Sequence, residues 1–303
     1  MEITLLGTGG MLPLPQRHLT SLYAEHEGHA VLIDCGEGTQ VAAARFGCKL
    51  SRIQAIFFTH RHTDHVAGLP GLLLSLGNTG RTEPLPVYCG EDCRDTVGWM
   101  TAATGGLPFP VEILPLPEDR ESSIPLPQID PGLTVDTLPV QHSVPCLGYR
   151  LTLTKRPVFA PEKARALGVP VSDWKRLHAG EACTLPDGRC ITQDMVTSAP
   201  RAPLRIVYTT DTLPLPAISR FAENADLFIC EGMYGTADKK TSMDEKGHML
   251  MQDACALAKS AGAARLWLTH YSPAEKDPAQ YAPALEECFP AVQVTQDGAH
   301  IRL

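Results

Sequence analysis

Three imidazoles and a carboxylate fall within six consecutive positions, His60-Arg61-His62-Thr63-Asp64-His65. Imidazole suits zinc and similar divalent ions, and a carboxylate extends the choice to manganese and iron. The segment follows AIFFTH, a continuous apolar run that reads as a buried strand, and leads into HVAGLPGLLLSLGN, which reads as a helix. A strand end followed by a sharp turn can point His60 and His62 at one ion and Asp64 and His65 at another. Two ions about 3.5–4 Å apart can share a hydroxide, the arrangement of two-metal hydrolysis. A merely histidine-rich surface loop would have neither this strand–turn–helix setting nor further ligands in reach.

Further ligands are supplied by elements that repeat one pattern. LTVDTLPVQHS reads as a strand ending at His142, RIVYTTD as one ending at Asp211, ADLFICEG as one ending at Glu231, and RLWLTH as one ending at His270. Side chains delivered from several strand ends converge on one sheet edge, where α/β enzymes commonly build their sites. His142 and His270 are therefore candidate ligands. Asp211 is the best candidate for a carboxylate offering one oxygen to both ions, although a lone Asp after a strand is more often a cap or turn residue. His18, His26, His29, His178 and His300 have no such setting and read as exposed or locally hydrogen-bonded.

The remaining elements alternate in the same way. The first forty residues read as short strands joined by tight turns, EGTQVAAARFG as a helix stopped by Gly47, LPVYCG as a strand, and EDCRDTVGWMTAAT and KGHMLMQDACALAKSAG as helices. Lys155 to about Ala202 differs, being rich in Pro, Lys and Arg with poor periodicity. A chain of 303 residues, 44% hydrophobic and 20% charged, has ample material for a core. Its net charge of −8 argues against a surface that binds nucleic acid indiscriminately. No window of about 18 apolar residues occurs, so no membrane span is expected. MEITLLGTGG lacks the features of a signal peptide, which makes the cytoplasm the default compartment. The ten cysteines form no C-x-x-C pair and are expected to be reduced, buried fillers; CGEDC (Cys89, Cys93) is only a weak metal signal.

LLGTGGMLPLPQRHLTS, LIDCGEGTQ, IFFTHRHTDHVAGLPGLLLS, VQHSVPCLGYRL, YTTDT, CEGMYG, KGHMLMQDA and LTHYSP follow one another along nearly the whole chain. In these segments it resembles the metallo-β-lactamase superfamily, and within it the ribonuclease Z family, which trims the 3′ end of precursor tRNA. The most specific piece joins the superfamily's metal motif to a G-L-P-G-L-L continuation. The resemblance implies an α/β fold, a four-layer αβ/βα sandwich in a single domain over residues 1–303, with an inserted arm over 155–200 as a candidate tRNA-binding exosite. It implies two zinc ions, with Mn2+ or Fe2+ as alternatives. One would take His60, His62, His142 and Asp211, the other Asp64, His65, Asp211 and His270. A bridging hydroxide would attack phosphorus, with Asp64 orienting it or taking its proton. His248, on its helix start, would protonate the leaving 3′ oxygen, held by Glu231. A homodimer is implied, the arm of one subunit presenting RNA to the other.

Between Lys155 and Arg189 that arm carries Lys155, Arg156, Lys163, Arg165, Lys175, Arg176 and Arg189 against Glu162, Asp173, Glu181 and Asp187, a local charge of +3. Such an excess fits phosphate contacts made away from the reacting atoms. Several positions depart from the family pattern. Arg17-His18 replaces Arg-Asn, Thr210 a glycine, Cys230-Glu231-Gly232-Met233 the run His-Glu-Ala-Thr, and GVPVSDW a Gly-Pro pair. Pro273-Ala274-Glu275 stands where an arginine is usual, and a glutamate there is expected to weaken RNA binding. None of these departures touches a ligand. The same metals could instead serve a small phosphodiester, a cyclic nucleotide, or a sulfate or lactone ester, and a non-catalytic metal-dependent scaffold is the third class of reading.

Overall fold

The computed structural model describes residues 1–155, 157–199 and 201–303, the side chains at 239, 240, 242 and 244 excepted. Arg156, counted above among the arm's cations, lies outside the described residues. Among these residues the apolar runs build two seven-stranded sheets. In the first, β1 (Glu2–Gly7), β2 (Ser21–His26), β3 (His29–Ile33), β4 (Ile53–Phe57), β5 (Leu85–Gly90) and β6 (Val111–Leu116) are neighbours in chain order. The pairing is antiparallel as far as β3 and parallel beyond it. Glu27 and Gly28 join β2 to β3 at φ 49° and 84°, the two left-handed residues that a type I′ hairpin requires.

The second sheet begins with the antiparallel pair β7 (Ser122–Pro125) and β8 (Leu133–Val140), continued by β9 (Cys146–Leu153). A two-stranded hairpin, β10 (Cys183–Thr184) and β11 (Cys190–Ile191), lies in the arm. The chain returns to the second sheet as β12 (Leu204–Thr209), β13 (Leu227–Glu231), β14 (Leu266–Thr269) and β15 (Val292–Val294), all parallel. The last strand, β16 (His300–Arg302), closes the first sheet against β1.

Helices cover the outer face of each sheet. On the first lie α1 (Thr39–Arg45), the single turn α2 (Thr63–Val66), α3 (Leu69–Asn78) and α4 (Glu91–Ala102). Leu69, Leu72, Leu73 and Leu76 form the apolar stripe of α3 at helical spacing, and it packs on Ile53, Ile56 and Phe58. The arm holds α5 (Pro161–Ala166) and α6 (Val171–His178). On the second sheet lie α7 (Pro216–Phe221), α9 (Met251–Ala261) and α10 (Ala282–Cys288), while α8 (Lys240–Lys246) precedes α9 in the chain. Met251, Ala254, Cys255 and Ala258 of α9 meet Phe228 and Cys230 of β13 and Leu266 and Leu268 of β14.

The two inner faces meet through Phe57 and Tyr149, whose rings pack edge to face at 5.4 Å, and the Tyr149 hydroxyl donates to the Phe58 carbonyl at 2.5 Å. Phe57 thus faces one way and Phe58 the other, which is why AIFFTH is apolar throughout. The order of layers is helices, sheet, sheet, helices, the αβ/βα sandwich.

Three readings are corrected by the structure. The helix expected over HVAGLPGLLLSLGN is broken after Val66, because the chain docks there on residues 35–36: Cys35 N donates to His65 O and Gly68 N to Cys35 O. A Cβ on Gly68 would fall 2.1 Å from Gly36 O, so only glycine fits. The aperiodic stretch after Lys155 contains α5 and α6, too short for a periodic signal, and residues 153–203 form a compact unit whose core includes Ala164, Val169, Leu177 and Ile191. Of the cysteines, all free, Cys190 is exposed on its short hairpin, while Cys89 and Cys93 are buried under the first sheet's helices. No helix among the described residues is long and apolar enough to cross a membrane.

Removing the Tyr149 hydroxyl strands a buried carbonyl between the sheets. Tyr149→Phe is expected to lower stability by about 1–3 kcal/mol in chemical denaturation. An unchanged midpoint would show that this bond does not help join the layers.

Candidate metal centre

The chemistry-bearing residues lie just past the strand ends rather than on them. β4 stops at Phe57, β8 at Val140, β12 at Thr209 and β14 at Thr269; only β13 ends on its functional residue, Glu231. Beyond the ladder the backbone is free to turn. His62 is extended and caps α2, so Asp64 and His65 fall in its single turn, and His270 adopts a left-handed φ of 59°. A Cβ on Gly10 would lie 2.5 Å from the His270 ring, so glycine there leaves room for the imidazole.

Two groups of donor atoms result. In the first, His60 Nε2 is 3.0 Å and His142 Nε2 3.2 Å from His62 Nδ1, and Asp211 Oδ2 lies 3.7 and 3.6 Å from His60 and His142. In the second, His65 Nε2 and His270 Nε2 are 3.2 Å apart, with Asp64 Oδ2 at 3.7 and 3.5 Å from them. Asp211 Oδ1 completes that group at 3.3 and 3.1 Å. Asp211 thus turns one oxygen to each group, where a single shared oxygen was expected. Asp211 Oδ1 is buried and makes no hydrogen bond. Ligands bound at about 2.0–2.2 Å around a tetrahedral ion are separated by about 3.4 Å. The spacing and the donor types therefore fit two divalent cations sharing Asp211.

Hydrogen bonds outside the groups set which nitrogen is offered. His65 Nδ1 donates to Asp34 Oδ2 at 2.8 Å, and His142 Nδ1 to Gly247 O at 3.0 Å. His60 Nδ1 lies 3.0 Å from Thr59 Oγ1, which itself donates to Asp34. With Nδ1 engaged, Nε2 of each ring is the nitrogen turned toward the other donors. Asp34 was not among the residues expected to serve the site. It is fully buried at φ 60° and also accepts from the Thr59 amide. The available signal was an acid closing the apolar strand VLID.

Burial holds His60, His62 and His142 below the usual imidazole range, so their rings are neutral, the form that binds metal. Burial works against ionisation of Asp211 and Asp64 as well. His270 and His65 beside Asp211, and His65 beside Asp64, nevertheless hold both carboxyls well below the ordinary range. His65 is also desolvated, yet Asp211, Asp34 and Asp64 raise it far above its usual value. The carboxylates thus recruit a proton as their counter-charge, and a divalent cation in its place would release it.

Glu231 and His248 stand beside this centre. Glu231 Oε1 accepts from the Thr212 amide at 2.6 Å and Oε2 from His248 Nδ1 at 3.1 Å. His248 is not on the start of a helix. It lies in the link between α8 and α9, whose first residue is Met251, and its amide donates to Met243 O. Its ring sits 5.0 Å from that of His142 and 5.8 Å from that of His270. Burial disfavours the imidazolium, but the Glu231 charge and hydrogen bond outweigh it and push the pKa up to about 9.

The other histidines lie elsewhere. His18 is bound to Asp297, His26 lies near Asp130, and His300 near Glu2. Arg17 holds the loop after His270, donating to the carbonyls of Ser272 and Glu275 with its guanidinium over the Tyr271 ring. Glu275, expected to weaken RNA binding, is largely buried and accepts from the Tyr281 hydroxyl at 3.2 Å. A carboxylate held in that way is a structural tie rather than a free surface charge.

A helix-flanked pair of sheets carrying His and Asp donors at its strand ends defines the metallo-β-lactamase class, and the profile of the metallo-beta-lactamase superfamily matches residues 15–150. Ribonuclease Z of Lachnospira eligens is 40% identical over 303 residues, spanning 100% of this chain and 98% of that protein. Ribonuclease Z of Clostridium acetobutylicum is 38% identical, spanning 98% and 96%. The chain belongs to the ribonuclease Z family and is a metal-dependent hydrolase. In fold it is similar to human tRNase Z, short form (ELAC1), with a TM-score of 0.68 at 23% identity over 100% of this chain and 99% of that one. The metallo-β-lactamase fold protein YhfI from Bacillus subtilis gives 0.68 at 19% identity over 99% and 98%.

If Asp34 fixes His65, Asp34→Ala should reduce metal affinity or activity about 10–100-fold. Metal analysis after dialysis against a weak chelator, alongside the wild type, measures it. Retention equal to wild type would leave Asp34 a purely structural residue.

Proposed function

We propose that this chain is a cytoplasmic endonuclease that removes the 3′ trailer of precursor tRNA. The observation that carries the reading is the similarity to ribonucleases Z over essentially the full length of both chains. We take the cofactor to be two zinc ions, with Mn2+ or Fe2+ compatible with the same donors, held by His60, His62, His142 and Asp211 and by Asp64, His65, Asp211 and His270. When bound, such ions would offset the charge of a phosphodiester and make hydroxide available from water near neutral pH.

The chain's own residues do the rest. Asp64 Oδ2 accepts from the Met11 amide at 2.6 Å, which fixes the carboxylate in a position to orient the attacking water. A ribose 3′ oxygen is a poor leaving group and needs a proton as its bond to phosphorus breaks. His248 is the group we assign to supply it. Glu231 keeps that imidazole protonated and holds the ring by Nδ1, leaving Nε2 free to donate.

The arm over 155–200 is proposed as an exosite for the tRNA backbone, in an enzyme that acts as a homodimer. Arg176 and Arg189 are already paired with Glu181 and Asp187, so exposed cations such as Lys175 are the ones left for phosphate. Rim pairs of this kind contribute little to stability and can exchange partners.

Zinc-loaded protein should cleave a precursor tRNA efficiently. Rapid hydrolysis of bis-p-nitrophenyl phosphate with the precursor left intact would favour a small-ester hydrolase instead. His248→Ala should slow tRNA cleavage about 10²–10⁴-fold while slowing nitrophenolate release much less, because that leaving group needs no proton. Equal losses on both substrates would remove His248 from the role of acid.

A further inference from the structure

A second set of metal-ligating atoms is brought together at the far end of the β2–β3 hairpin. One atom each of His26, Glu27 and Asp130 lies within 4.8 Å of the others. Their positions follow from two turns. The Glu27-Gly28 turn makes His26 the last residue of β2 and His29 the first of β3, directly paired across the ladder. Cross-strand partners share a face, so both imidazoles stand on the same side of the hairpin. Asp130 belongs to the turn between β7 and β8, in the other sheet, where its Oδ1 accepts from the Gly132 amide at 2.7 Å. That bond leaves Oδ2 for His26.

The distance between His26 Nε2 and Asp130 Oδ2 is 3.5 Å. It is long for a hydrogen bond, which peaks near about 2.9 Å, and close to the edge of a tetrahedral zinc site, about 3.4 Å. The set combines one imidazole and two carboxylates, a donor mix suited to zinc and similar divalent ions.

We propose that His26, Glu27 and Asp130 form a third, structural cation site of the zinc class. Bound there, an ion would tie the hairpin of the first sheet to the β7–β8 turn of the second. It would add stability without touching the reacting atoms. Glu27 is exposed, and the His26 and Asp130 side chains are 17% and 19% exposed, so the ion would exchange with solvent more readily than one held among buried donors.

The test compares zinc-loaded wild type with His26→Ala, Glu27→Gln and Asp130→Asn. The last keeps the Oδ1 acceptor that the turn needs. Each protein is equilibrated in buffered Zn2+, its zinc counted by mass spectrometry, and its thermal midpoint followed as zinc is raised. Wild type should bind one equivalent more than every variant, and its midpoint should keep rising after the variants have levelled off. Turnover of bis-p-nitrophenyl phosphate should stay within about twofold throughout. Because the readout is a difference between wild type and variant, it reports this site whatever the His60–His65 cluster holds. Equal zinc counts, or midpoints that respond alike, would overturn the proposal and leave a plain His–Asp contact at the surface.

Discussion

Asp34, Asp211 and Glu231 are buried, and Asp64 nearly so, all at the edge where two sheets end. Carboxylates taken out of water this way are tolerated only where positive charge and hydrogen bonds meet them. Backbone amides answer part of the demand: Thr59 donates to Asp34, Thr212 to Glu231, and Met11 to Asp64. His248 answers Glu231 and His65 answers Asp34. Asp211 Oδ1 faces only the rings of His65 and His270, at 3.3 and 3.1 Å, and the neutral rings of His60, His62 and His142 add no charge to meet it. A centre with that balance favours divalent cations, and the surrounding loops hold the donors near the distances such ions set.

The sandwich makes this arrangement possible. Loops past β4, β8, β12 and β14 carry the candidate ligands, while each sheet is anchored behind by helices and in front by the other sheet. A short stretch of unpaired backbone on a rigid base can adopt left-handed turns, as at Asp34 and His270, without disturbing the ladder. None of the candidate metal donors departs from the family pattern; of the positions that do, Cys230 lies in β13 and Thr210 directly follows β12, while the others lie outside the two sheets. Glu275, one of these positions, and the retained Arg17 brace the loop after His270.

Much of this was legible in the residues. The run from His60 to His65 announces itself by composition, and His142, Asp211 and His270 by their place after apolar strands. The αβ/βα order followed from the family resemblance more than from periodicity. What escaped has physical reasons. Asp34 binds no neighbour in sequence, and its partners, Thr59 and His65, lie 25 and 31 residues away. The apolar run after the cluster looked continuous, and the docking of His65 and Gly68 on the Cys35–Gly36 backbone breaks it. His248 fell inside a plausible helix, but the chain turns there so that its ring can reach Glu231. The arm's helices are too short for periodicity to mark them.

The central claim is that Asp211 is shared by two ions, with three histidines beside one and Asp64, His65 and His270 beside the other. Anomalous diffraction from zinc-soaked crystals at the zinc edge tests it most directly. The account predicts two peaks about 3.5–4 Å apart with one Asp211 oxygen in contact with each. A single peak in this centre, or two peaks with Asp211 touching neither, would contradict it.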